Sequence, residues 1–171
     1  MMKAFMKYLL ISGFLLTSPY LLAQPLQEDA EKAYHQFDFW LGHWEVYKYG
    51  TDTLVGQSHI ESILDGLGLL ENYSAVNSSY QGKSLNKYNP AMDRWEQYWI
   101  DNSGLTLFLS GGLSEGSMIL EDVEHGDPER GFNRIVWSLD KDSTVRQTWS
   151  VSRDGGKSWS VIFDGEYQPK K

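Results

Sequence analysis

The feature that most constrains the fold is a series of short runs in which apolar and polar residues alternate, from His43 to Tyr167. Residues on a β-strand point alternately to opposite faces of a sheet, so such runs predict half-buried strands. No segment in this range has the 3.6-residue spacing of an amphipathic helix over a useful length. The chain is therefore predicted to be all-β.

Ten such runs are separated by connectors rich in Gly, Asp, Asn or Pro, which favour tight turns. Most connectors are short enough for hairpins between antiparallel neighbours. A meander without helical crossovers must protect its edges, and closure into a barrel does so. We therefore predict one antiparallel barrel of calycin type, with a β-sandwich as the alternative. The predicted strands are His43–Tyr49, Leu54–Leu64, Leu69–Val76, Lys83–Asn89, Trp95–Asp101, Leu105–Ser110, Ser117–Val123, Arg134–Leu139, Thr144–Ser152 and Ser158–Tyr167.

Residues 1–23 are predicted to be a secretory signal peptide. Lys3 and Lys7 precede an apolar run, and Ala23 is a small residue at a suitable cleavage point. The run is too short and interrupted for a comfortable membrane span, although an uncleaved anchor is the alternative. Residues 24–171 then form a single exported domain, periplasmic or extracellular, with no membrane association after cleavage. A short helix is predicted over residues 25–36.

Charge and composition restrict the partners. The chain has a net charge of −8 at pH 7, so it lacks the basic surface that binds nucleic acids and anionic membranes. It has no cysteine, so an exported domain of this sequence is held by its core alone. Its seven tryptophans suit either half-buried strand faces or the lining of a ligand site.

The segment FDFWLGHWEVY, residues Phe37–Tyr47, places Gly42 and Trp44 at the start of the first predicted strand. This Gly-x-Trp resembles the opening of lipocalins and other calycins, in which the Trp closes one barrel end. With LDGLGLLENY, GKSLNKYNPAMDRWEQYWIDNSG and VRQTWSVSRDGGKSWSVIFDGEY, the chain resembles an uncharacterised family of secreted bacterial proteins that open with Phe-Asp-Phe-Trp-x-Gly-x-Trp. The resemblance implies a calycin-like or nitrobindin-like barrel and no particular activity. It also implies an Arg beside Trp44, a position that Arg134 or Arg146 would have to fill.

The segment SRDGGKSW, residues 152–159, resembles the Asp-box hairpin of sialidase propellers. A propeller requires several copies at a spacing of about 40–50 residues, and this sequence contains one. We therefore interpret the segment as a structural turn. Gly155 and Gly156 would take positive φ, Asp154 would accept hydrogen bonds from nearby backbone, and Trp159 would pack over the hairpin.

Several predicted strands carry a face that mixes polar and aromatic residues. If these faces point inward, they line a small-molecule pocket with aromatic walls and a few amide and carboxylate groups. If they point outward, faces such as Leu105, Leu107 and Leu109 fill the core instead, and both interpretations fit the alternation. The candidate ligand-binding residues are His59, Glu61, Glu71, Tyr73, Asn86, Tyr88, Gln97, Trp99, Arg134, Gln147 and Trp149.

These faces favour an exported, non-catalytic protein that binds a small, partly apolar ligand. One alternative is an enzyme for a small organic or saccharide substrate, with His59, Glu61 or Glu71 as acid or base. Gln97 or Gln147 would orient that substrate. Another alternative is a haem-binding, nitrobindin-like protein with His59 as the proximal ligand. No two histidines have metal-ligand spacing, so the leading hypothesis includes no metal or other cofactor.

Overall fold

The computed structural model describes residues 31–140 and 143–171, so the predicted signal peptide lies outside the described residues. Each strand pairs antiparallel with its neighbours in sequence, and the first pairs with the last to close a ten-stranded barrel. This confirms the predicted all-β barrel. The strands are β1 (Gly42–Lys48), β2 (Leu54–Ile63), β3 (Gly68–Ala75), β4 (Gln81–Asn89), β5 (Arg94–Asp101), β6 (Thr106–Ser114), β7 (Ser117–Glu121), β8 (Phe132–Leu139), β9 (Val145–Ser152) and β10 (Ser160–Pro169).

Every predicted strand corresponds to an observed one, and the largest difference is in β6. This strand was expected to end at Ser110 and instead reaches Ser114. Gly111 and Gly112 resemble a turn in the sequence, yet both pair with residues of β7. A Cβ at Gly111 would collide with the backbone of β7, so glycine here permits a close approach of two strands.

The predicted N-terminal helix lies mostly outside the described residues. Residues 31–34 are helical, and a 3-10 helix follows at Asp38–Trp40. Among the described residues, no helix has the length and apolar character needed to cross a membrane.

This helical segment closes one end of the barrel with aromatic side chains. Phe37 and Trp40 are fully buried, and their rings stack with centroids 5.0 Å apart. Phe37 also contacts Trp95 of β5 and Trp137 of β8 edge-on, at 5.6 and 5.1 Å. We call these four residues, together with Trp44, the aromatic plug. Because the plug buries five large aromatic side chains, it supplies a large part of the core.

Gly42 and Trp44 connect the plug to β1. Gly42 has a φ of +136°, which a residue with a Cβ rarely adopts, so glycine allows the turn from the 3-10 helix into the strand. Trp44 is 5% exposed, and its Nε1 donates a hydrogen bond to the carbonyl oxygen of Trp40 at 2.9 Å. The structure thus places Trp44 at the closed end, where the resemblance to calycins implies it.

The two arginines proposed to accompany Trp44 are engaged elsewhere. Arg146 forms two hydrogen bonds with Asp164, and its guanidinium lies 3.6 Å from the ring centre of Tyr49. Arg134 lies 4.0 Å from the ring centre of Trp159. Both are on the outer face of the barrel, because the residues that alternate with them point inward. Arg134 therefore does not belong to the interior surface, contrary to the expectation from the sequence.

The segment that resembles an Asp-box forms the turn between β9 and β10. Asp154 accepts hydrogen bonds from the hydroxyl and the backbone N–H of Ser158, at 2.6 and 2.9 Å. These bonds lower the pKa of the Asp154 carboxyl to about 2. Gly155 and Gly156 have positive φ, and Nε1 of Trp159 donates to the carbonyl oxygen of Gly156. The geometry is that of a self-contained hydrogen-bonded turn.

Candidate functional site

The barrel encloses a cavity of about 330 Å³ in the half that lies away from the aromatic plug. On β5, Trp95 belongs to the plug, and Trp99, four residues further along the strand, lines the cavity. Six strands contribute lining residues: β3, β5, β6, β8, β9 and β10. Tyr80 comes from the connection between β3 and β4. The lining residues are Glu71, Tyr73, Tyr80, Gln97, Trp99, Leu107, Ile135, Gln147, Trp149, Ile162, Phe163 and Tyr167.

The polar-aromatic faces of β3, β4, β5 and β9 point inward, whereas the face of β2 that carries His59 points outward. On β5, Gln97 is buried and lines the cavity, whereas Tyr98 and Ile100 on the other face are 50% and 47% exposed. The apolar face of β6 also points inward, with Leu107 and Leu109 buried. The sequence analysis treated inward polar-aromatic faces and inward apolar faces as alternatives. In the structure both kinds of face line the barrel interior, on different strands.

Six of the eleven candidate ligand-binding residues line the cavity: Glu71, Tyr73, Gln97, Trp99, Gln147 and Trp149. Asn86 is buried next to the wall and contacts Gln97. Tyr88 lies at the plug end instead, where its ring contacts Tyr34 and Trp95 and its hydroxyl donates to Asp93.

His59 and Glu61 are not in the cavity, contrary to their selection as candidates. They lie on the outer face of β2, because Ser58 and Ile60 fill the interior face. The ring of His59 stacks on that of His43, its partner on β1, with centroids 3.8 Å apart. An acid, base or haem ligand at this position would face away from the enclosed space.

Glu71 is the carboxylate of the cavity, and it is 3% exposed. Its Oε1 accepts a hydrogen bond from Oγ of Ser58 at 3.0 Å, and its Oε2 accepts one from Oγ of Ser84 at 2.9 Å. Burial raises the pKa of Glu71 to about 7, although the two serine hydroxyls act to lower it. Within residues 31–140 and 143–171, no basic side chain forms an ion pair with this carboxyl.

The hydrogen bonds behind Glu71 have a defined direction. Nδ2 of Asn86 donates to the carbonyl oxygen of Leu69 and to Oγ of Ser84, so Oδ1 of Asn86 is the acceptor. Gln97 must then donate its Nε2 to Asn86, at 2.7 Å, which leaves Oε1 of Gln97 free of this bond. Ser84 accepts from Asn86 and gives its own proton to Glu71. In the series of hydrogen bonds from Gln97 through Asn86 and Ser84 to Glu71, each donor points toward the carboxyl of Glu71, and each bond polarises the next.

The tyrosines of the cavity remain neutral near pH 7. Burial raises the pKa of Tyr167 well above its ordinary value, and its hydroxyl donates to Oε1 of Gln147. Burial and the nearby charge of Glu71 raise the pKa of Tyr73. Burial and the hydrogen bond to Asp101 also raise the pKa of Tyr80. Among the described lining residues, Glu71 is thus the group that titrates near neutral pH.

Asp101 fixes two aromatic side chains at the open end of the cavity. Its Oδ2 accepts hydrogen bonds from the hydroxyl of Tyr80 at 2.9 Å and from Nε1 of Trp99 at 3.2 Å. Burial acts to raise the pKa of Asp101, but hydrogen bonds from Ser103, Tyr80 and Trp99 outweigh it and lower the pKa to about 2. The carboxylate therefore keeps both rings in place over the ordinary pH range.

Several functional positions were absent from the sequence-based candidates. Tyr167 and Phe163 of β10 share one strand face, and this aromatic spacing was a signal for them. Ser58 and Ser84, which hold Glu71, carry no such signal. On β2 the more reactive side chain, His59, lies on the face opposite Ser58.

The sequence matches no family model, and no curated protein is significantly similar to it. The resemblance to a secreted bacterial family therefore stays a prediction. Inference about function depends on the cavity and on the chemistry of its walls.

Proposed function

We propose that the protein is an exported, non-catalytic binding protein that holds a small molecule in its barrel cavity. The observation that carries the proposal is a cavity of about 330 Å³, open at one end, with six aromatic side chains and one buried carboxyl in its walls. Ligand pockets in proteins have volumes of about 300–1,000 Å³, with mostly apolar walls and a few polar groups. The cavity is at the lower end of this range, which favours a small and partly apolar ligand.

The distribution of side chains within the barrel supports this proposal. Wide barrels leave interior space unless side chains fill it. The aromatic plug fills one half, and the other half retains both space and polar groups. Buried polar groups with unused hydrogen-bonding capacity reduce stability, so Glu71 and Gln97 at a cavity wall suit a ligand that bonds to them. Export is proposed from the pattern of residues 1–23 alone.

Acid–base catalysis is a second candidate function, and one observation favours it. The pKa of Glu71 is about 7, and a general acid or base is most efficient when its pKa is close to the working pH. Of the acid–base residues selected from the sequence, Glu71 is the one that faces the cavity, where Gln97 and Gln147 could orient a substrate. None of the four histidines lines the cavity, so its wall offers no proximal ligand for haem.

Native mass spectrometry of the protein purified from its own host tests the proposal. The wild type is expected to carry a small molecule that is released on unfolding. Leu107 lines the cavity, whereas Leu85 on β4 points outward, because it alternates with buried Ser84 and Asn86, and is 52% exposed. Leu107→Trp fills the cavity and is expected to lose the ligand, and the matched control Leu85→Trp is expected to keep it.

Two results would contradict the cavity as the binding site: a wild type with no bound molecule, or equal retention by the two leucine variants. Circular dichroism of both variants checks that each one folds. Chemical alteration of the released ligand by the wild type, but not by Glu71→Gln, would favour catalysis over binding.

A further inference from the structure

Two side chains in the cavity wall, Glu71 and Gln97, have hydrogen-bond acceptors with unused capacity. Each carboxyl oxygen of Glu71 receives one serine hydroxyl, while a carboxylate accepts about four hydrogen bonds in all. Nε2 of Gln97 donates to Asn86, and Oε1 of Gln97 has no hydrogen-bond partner among the described residues. Glu71 on β3 and Gln97 on β5 therefore both present unused acceptors to the same cavity.

The described protein groups that face Glu71 supply no positive charge. The other ionisable lining residues are Tyr73 on β3, Tyr80 before β4 and Tyr167 on β10, and no lysine, arginine or histidine is among the lining residues. The hydroxyls of Tyr80 and Tyr167 donate to Asp101 and Gln147. The hydroxyl of Tyr73 has no hydrogen-bond partner among the described residues, so it offers a neutral donor but no positive charge. A buried carboxylate without a cationic partner is strongly destabilising, so a cation that enters the cavity would offset that cost.

The remaining walls suit a cation that carries an apolar body. The rings of Trp99, Trp149 and Phe163 line the same cavity as Glu71. Faces of aromatic rings attract ammonium groups within about 6 Å, and this attraction strengthens when water is excluded. The net charge of −8 also raises the local concentration of cations around the protein and accelerates their association.

We infer that the ligand, whose existence rests on the proposed function, is a small organic cation: a protonated amine that donates hydrogen bonds to Glu71 and Gln97, with its apolar body among the aromatic rings. A neutral alcohol would bond to one acceptor and leave the carboxylate without a counter-charge. An organic anion would be repelled by Glu71. The wall thus selects for charge at one end of the molecule and for apolar surface at the other.

Isothermal titration of the purified protein with matched probes tests the inference. Each set has one apolar body with three head groups: 2-phenylethylamine, 2-phenylethanol and phenylacetate; tryptamine, tryptophol and indole-3-acetate; cyclohexylmethylamine, cyclohexylmethanol and cyclohexanecarboxylate. The titrations are made at about pH 8, where Glu71 is mostly ionised and the amines are protonated. In at least one set, we expect the amine to bind roughly tenfold more tightly than the alcohol, and the acid to bind most weakly.

Glu71→Gln keeps the shape of the side chain and removes its charge. We expect this variant to lose roughly 10–100-fold in affinity for the amine, and to keep its affinity for the alcohol within about threefold. Glu61→Gln is the matched control, because Glu61 lies on the outer face of β2, and its affinities should equal those of the wild type. Thermal melts of both variants check that they are folded.

The possible failures are distinguishable. Binding of alcohols or acids with no preference for amines, or amine binding that Glu71→Gln leaves unchanged, would overturn the cationic ligand and leave the cavity as a binding site. Absence of binding by every amine would also overturn the cationic ligand, whereas the proposed function is contradicted by a wild type that carries no bound molecule in native mass spectrometry.

Discussion

The indole ring of Trp99 occupies the space above Gly82 that a side chain at this position would need. In the pairing of β4 with β5, Ser84 lies opposite Trp99, and Gly82 is the next residue of β4 on the same face. Trp99 can therefore lie across β4 and form a wall of the cavity. The shape of this wall depends on a glycine that is not itself a lining residue.

Replacement of this glycine should disturb the wall. In Gly82→Ala, the new methyl group overlaps the ring of Trp99, which must move. We expect a loss of roughly 1–3 kcal/mol in the free energy of unfolding, measured by urea denaturation, and a changed tryptophan emission spectrum. Gly112→Ala is the control, because a Cβ at Gly112 meets no atom within 4 Å. Equal denaturation midpoints for the two variants would show that Trp99 does not occupy this space.

Removal of Trp44 should damage the fold itself. Trp44 is packed into the aromatic plug and bonded to the backbone of Trp40. Truncation of a buried tryptophan costs about 3–5 kcal/mol, out of a total stability of about 5–15 kcal/mol for a typical domain. We expect Trp44→Ala to be strongly destabilised or unfolded in chemical denaturation, whereas Tyr98→Ala, at an exposed position, should lose much less. A wild-type midpoint for Trp44→Ala would contradict the role of Trp44 in closing the barrel.

Trp99→Ala should separate binding from folding. One side of Trp99 faces the cavity, so its truncation removes fewer packing contacts than that of Trp44. We expect a smaller loss of stability and an affinity for amine probes that is roughly tenfold weaker, because an aromatic wall is lost. Calorimetric titration and urea denaturation of the same preparation measure both effects. Unchanged affinity would remove Trp99 from the binding surface.

Glu71 should make stability depend on pH in a defined direction. Its pKa in the folded protein is about 7, above the value of 4.5 expected when unfolded, so the folded state holds this proton more tightly. The stabilising contribution is fully present below about pH 4.5 and is lost as the pH rises through 7. Glu71→Gln cannot ionise, so above pH 7 this variant should be more stable than the ligand-free wild type, by on the order of 3 kcal/mol.

Denaturation of the wild type and Glu71→Gln at several pH values between about 4.5 and 8 measures this difference. A difference in stability that stays constant over this interval would show that Glu71 titrates at its ordinary pKa and that its carboxyl is hydrated in the folded protein.

The strands were predictable because alternation is a local property of the sequence. The end of β6 was not, because Gly111 and Gly112 have the composition of a turn, and only the pairing with β7 shows that they continue a strand. The antiparallel meander also followed from the short connectors. Its closure was expected from the need to protect sheet edges, and the pairing of β1 with β10 has no local signal in the sequence.

The site was only partly predictable, because alternation groups residues by face without indicating which face is inside. On β5 the candidates Gln97 and Trp99 both line the cavity. On β2 both faces carry polar residues. The pairing register of β2 with β3 decides which face is inside, because it places Ser58 opposite Tyr73 of the cavity wall. The choice of His59 followed its chemical versatility, whereas the packing of the barrel placed it outside.

The aromatic plug has a consequence for how such a protein can change over evolutionary time. The plug half of the barrel carries most of the large buried aromatic groups, and the cavity half carries the side chains that would meet a ligand. If the cavity holds a ligand as proposed, substitutions that alter selectivity would fall in the half of the barrel that contributes less to the buried aromatic core. Such a barrel could exchange one ligand for another through a few replacements at the open end, without any change at the sealed end.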